Sequence, residues 1–158
     1  MQFLRKFLIW RTGLPAPSLT SAPFVVPNGS ISRLVFEPRK LRADGTPKPH
    51  VFEQELHPEL NRLETSVCGM NGLSDDRMWE IGRTIRAPKL AIAAVEVSVA
   101  AVMKAGLACE SAPEISYAEH GVILGWDPND KDRRMSAQLE LVAAHTSVHR
   151  PTAPPNCH

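Results

Sequence analysis

Residues 116–144, SYAEHGVILGWDPNDKDRRMSAQLELVAA, constrain the fold more than any other stretch. Val122, Ile123 and Leu124 form a short continuous apolar run between Gly121 and Gly125, the pattern of a central strand buried on both faces. Asp127-Pro128-Asn129 then reads as a tight turn. Beyond it Met135, Leu139 and Val142 recur at i, i+4 and i+7, which predicts a helix with that core stripe. Asn129 is its expected N-cap, with Asp132 reaching back in a capping box. Strand, turn and amphipathic helix in so short a span require a sheet with a helix packed on it.

The rest of the chain extends that plan. Residues 31–36 (ISRLVF) alternate apolar and polar and predict a strand, as do residues 63–68 (LETSVC). Ser74 is placed as an N-cap, with Asp75 and Asp76 near the positive end of the helix dipole. Met78, Trp79 and Ile81 supply the apolar side of that helix, and Gly82 is its expected end. Residues 89–105 predict a strand near 89–94 and then a helix to 105. Residues 107–110 and 121–126 complete the strands. The reading is a single α+β domain: a mixed or antiparallel sheet of about four to five strands with two or three helices packed on it.

The 14 prolines of the 158-residue chain set the expected boundaries. They cluster in residues 15–27, 38–58 and 151–155, so the surplus belongs to loops and ends. Residues 1–30 read as an amphipathic segment and Pro-rich linker, 31–146 as the α+β domain, and 147–158 as a disordered Pro-rich tail. The long connection 37–62 suggests a binding loop. No internal repeat is present.

Charge is uneven. Residues 1–50 hold eight Lys/Arg against two acids, a net of +6; residues 51–158 hold ten against fifteen, a net of −5. Either the two parts neutralise one another or the basic part meets an acidic partner. Cys68, Cys109 and Cys157 are odd in number and widely spaced, which disfavours a disulfide scaffold and points to a reducing cytoplasm. No run of 18 apolar residues exists, so transmembrane insertion is not expected. The apolar run 7–10 is too short for a signal peptide. Phe3, Phe7 and Trp10 do share one helical face, suited to docking.

The chemistry-bearing residues gather around His120. An imidazole at a strand end can act as acid or base, with Asp127 or Glu119 orienting it and Arg133 or Arg134 holding an anion. That combination describes a small hydrolase, acting on phosphodiesters for instance. Cys68 before Gly69 is a weaker nucleophile candidate than a buried apolar residue. The closely spaced ligand pairs of a zinc site are missing, and no Walker loop, GxSxG or HExxH occurs. No metal or cofactor is expected. Trp126, at a strand end beside the Arg pair, reads as a half-exposed anchor. Arg39, Lys40 and Arg42 in the basic loop 39–48 are the residues suited to phosphate, hence to nucleic acid.

With no catalytic signature, the leading expectation is a non-catalytic cytosolic interaction module or subunit of a larger bacterial-type assembly, with a protein partner or self-association. Its expected contacts are Phe3, Phe7, Trp10, Arg39, Lys40, Arg42 and Trp126. The alternatives are a hydrolase built on His120, Asp127 and Arg133, and a nucleic-acid-binding domain using the basic loop.

Overall fold

Ser30–Val35 form strand β1, and all of it but Ser30 is buried. The computed structural model describes residues 23–152, and in it β1 pairs on both sides. One neighbour is β3 (Arg62–Gly69), with Ile31 opposite Gly69; the other is β4 (Ala93–Ser98), with Arg33 opposite Val95. Beyond β3 lie β6 (His120–Leu124) and then β5 (Ala108–Ser111), and beyond β4 lies β7 (Ser147–His149). Short β2 (Glu55–His57) pairs with the start of β3. Every pairing is antiparallel, giving a seven-stranded sheet.

Alternation along the strands divides the core into two layers. Ile31 and Val35 of β1 face one side with Val67, Val95, Val97 and Ile123. Helices α2 (Val99–Lys104) and α3 (Lys131–Ala143) cover that side, together with a 3₁₀ turn at Pro49–Phe52 whose Val51 and Phe52 are fully buried. Leu34, Cys68 and Ala94 face the other side against Met78 and Ile81 of α1 (Asp75–Thr84). The class is thus α+β in one domain, with helices on both faces of the sheet.

The sheet is larger than the four to five strands expected. The additions, β2 and β7, are three residues each, too short for a period of two to register. β7 lies in the stretch read as a disordered tail; Thr146 N donates to Glu96 O and Ser147–His149 pair with β4. At the other end the domain starts before residue 31: Val25 is buried, and Phe24 O accepts from Asn71 N.

Local boundaries also shift for physical reasons. Strand gives way to helix at Ser98, not near 94, because the Ser98 hydroxyl caps α2 by accepting from Ala101 N. Gly82 lies inside α1, not at its end. A Cβ there would meet the Cβ of Ala91 at 2.8 Å, so glycine permits close packing. Asp130, not Asn129, caps α3, its Oδ1 accepting from Arg133 N at 2.9 Å. The buried face of α3 is Ala137, Gln138 and Leu141, while Met135 and Leu139 stay 42% and 51% exposed. The small Ala137 packs in the cluster that holds Trp126; of the expected stripe, Met135 and Leu139 point outward while Val142 packs against that core.

Candidate functional site

The register of β3 and β6 puts Cys68 opposite His120 and Ser66 opposite Val122. His120 and Ser66 therefore sit diagonally on one face, within reach of each other. His120 Nε2 lies 2.8 Å from Ser66 Oγ, and Nδ1 lies 2.7 Å from the carbonyl oxygen of Ala112. The Glu114 carboxylate is 3.4 Å from Nδ1, and the Tyr117 ring lies against the imidazole at 5.1 Å between centroids.

The segment before β6 that carries these partners is fixed at both ends. Glu114 and Tyr117 exchange backbone hydrogen bonds, and the Tyr117 hydroxyl donates to Val67 O at 3.2 Å. Burial pushes the Tyr117 phenol well above its ordinary range, so it stays a donor. Burial alone would raise the Glu119 carboxyl too, but the bonds from Arg77 outweigh it and hold that group below the usual carboxylate value.

His120 and Ser66 open onto a cleft of about 460 Å³. The β2–β3 hairpin supplies His57, Leu60, Arg62 and Glu64 to its wall. Arg62 Nε bonds Glu64 at 3.2 Å, and Leu60 N donates to His57 Nδ1 at 3.2 Å. Polar groups with acid–base capacity thus converge on one concavity. Among the described residues, no three His, Cys, Asp or Glu side chains gather as a metal site.

The structure does not bring His120, Asp127 and Arg133 together. His120 begins β6 and Asp127 lies three residues past its other end, the strand alone spanning about 13 Å at roughly 3.3 Å per residue. Asp127 Oδ1 accepts from Asn129 N in the turn, and Asp127 and Arg133 line one crevice with Gly106 and Trp126, away from His120. Glu119, the other expected orienter, is committed to Arg77.

The expected partner contacts also change. Trp126 is 5% exposed and donates from Nε1 to Ile123 O at 3.2 Å; it is a core residue rather than a half-exposed anchor, in one cluster with Ala137 and Leu141 of α3. Lys40 is buried, 3.5 Å from Glu53. Arg39 pairs with Glu37, and Arg42 donates to Pro47 O and Thr46. Arg39, Lys40 and Arg42 thus each have a partner within residues 37–53, and Arg39 stays largely exposed. Phe3, Phe7 and Trp10 lie outside the described residues. Cys68 is buried and its thiol is pushed up to about 11 by burial, which removes it as a nucleophile at neutral pH.

A second feature lies at the sheet's end. β5 pairs only with β6, so its outer edge carries no strand among the described residues. Ala112 N donates to His120 O, and the pairs Glu110–Val122 and Ala108–Leu124 continue that alternation. The N–H and C=O of Cys109 and Ser111 consequently point outward. Along this edge runs an apolar groove of about 550 Å³ between residues 25–27 and α2, lined by Val25, Pro27, Val99, Met103 and Leu107.

Sequence reading missed Ser66, Glu114 and the β5 edge. Ser66 is on the polar face of an alternating strand, and only the pairing with a strand more than fifty residues later gives it a partner. Compared with family models, curated proteins and solved structures, the chain matches none.

Proposed function

We propose that the protein is an interaction module that takes an extended apolar segment of a protein partner as an added strand along β5. The observation that carries this reading is the coincidence of an unpaired strand edge with an apolar groove beside it. The outward groups of Cys109 and Ser111 supply main-chain hydrogen bonds to an incoming strand. The groove receives every second side chain of that strand, which gives selectivity. Met103 is 62% exposed at the groove, and an adaptable thioether suits a surface that must fit different side chains. The opposite edge is less suited: β7 has three residues, and Arg150 beside it is engaged with Gly45 O and Ile92 O.

The test uses decapeptides selected from a random display library on the full chain. Enriched peptides are expected to carry apolar residues at alternate positions. Their binding should be lost with Cys109→Pro, which deletes an outward N–H without touching the β6 pairing, and weakened at least tenfold by Met103→Lys. Peptides that bind both variants as well as the wild type would overturn the reading.

A further inference from the structure

We infer that Ser66 is a nucleophile activated by His120, and that their cleft accepts small activated carboxylic esters. A carbonyl oxygen only accepts, so the 2.7 Å contact with Ala112 O places the ring proton of neutral His120 on Nδ1. Nε2 then carries a bare lone pair. The Ser66 hydroxyl, 2.8 Å away, donates to it and turns its own lone pairs elsewhere. This is the relation between a serine nucleophile and its base. Glu114, 3.4 Å from Nδ1, sets negative charge where an imidazolium would form. Both residues stand on paired strands, so the geometry is held by the sheet itself.

The same cleft contains a donor imidazole. His57 Nδ1 accepts from Leu60 N, so its proton is on Nε2. His57 and Arg62 are therefore the groups in the cleft wall able to donate to a developing oxyanion. A cleft of about 460 Å³ suits a small substrate.

The chemistry balances without a cofactor. Ser66 Oγ bonds to the ester carbonyl carbon while its proton passes to His120 Nε2. The bond to the leaving alcohol breaks, and that alkoxide takes the proton from Nε2. Water then attacks the acyl-serine, again giving its proton to Nε2, and the carboxylic acid leaves as Oγ regains a proton.

The test is incubation of the full chain with nitrophenyl acetate and, separately, with a fluorophosphonate, followed by intact mass and peptide mapping. An adduct on Ser66 is expected, absent in Ser66→Ala and formed about 10²–10⁴-fold more slowly in His120→Gln. Circular dichroism checks that each variant folds; if His120→Gln does not, His120→Asn replaces it, and mapping of the wild type needs no variant. A folded wild type without label on Ser66, or label formed equally fast in the His120 variants, would overturn the inference.

Discussion

Arg77 holds the Glu119 carboxylate with two nitrogens, Nε to Oε1 at 2.8 Å and Nη2 to Oε2 at 3.1 Å. The pair ties α1 to the residue preceding His120, at the start of β6. Glu119 is buried and Arg77 about one-third exposed. Arg77→Met should therefore destabilise the fold by about 1–3 kcal/mol, less than a fully buried pair would. Urea unfolding of the two proteins measures this. An unchanged midpoint would mean the pair is only a surface contact.

The same pair gives the stability a pH dependence. For Glu119 and for Glu96, burial alone would raise the carboxyl. Bonds outweigh it in both, from Arg77 in the first and from Ser30, His149 and Ser147 in the second. Their folded-state values lie below the ordinary 4.5. A depressed carboxylate contributes stability that is present above its unfolded value and lost as pH falls through the folded one. Stability should thus fall below about pH 4.5, and Arg77→Met should flatten that fall. Denaturant midpoints from pH 3 to 6 read both effects.

Gly69 should tolerate no side chain. A Cβ there would lie 2.5 Å from the Phe24 carbonyl carbon, and backbone cannot give way as a flexible side chain can. Gly69→Ala should cost about 1–3 kcal/mol, in the range of overpacked sites. It should also expose the amide of Asn71, which bonds Phe24 O, to faster hydrogen exchange.

Cys68 and Cys109 should resist alkylation in the native state. Burial pushes both thiols from 9.0 up to about 11, which lowers the thiolate fraction roughly a hundredfold. In a Cys157→Ser chain, iodoacetamide should label them slowly until urea unfolds the domain. Fast native labelling of either would contradict this packing.

Legibility in the sequence followed how local each cause was. The cap at Ser74 was readable, and the Ser74 hydroxyl does accept from Arg77 N, because a cap depends on neighbours within four residues. The buried pair Val122 and Ile123 was readable for the same reason, whereas Leu124 at the end of β6 is only half-buried. The face of α3 was not: both Met135/Leu139 and Ala137/Leu141 have helical spacing, and only Trp126 and the sheet decide between them. His120 was visible as a reactive type at a strand end. Its partner Ser66 was not, since strand pairing rather than sequence proximity joins them, and chain distance gave Asp127 a weight that the length of β6 removes. The β5 edge is likewise a property of strand order, which single strands do not encode.

The most direct measurement is amide hydrogen exchange by NMR along β5, with and without a selected peptide. The free chain should show fast exchange at Cys109 and Ser111 and protection at Glu110, whose N–H faces β6. Peptide binding should slow Cys109 and Ser111 and leave Glu110 unchanged. Protection of Cys109 and Ser111 already in the free chain, or no change at either on binding, would contradict strand addition at this edge.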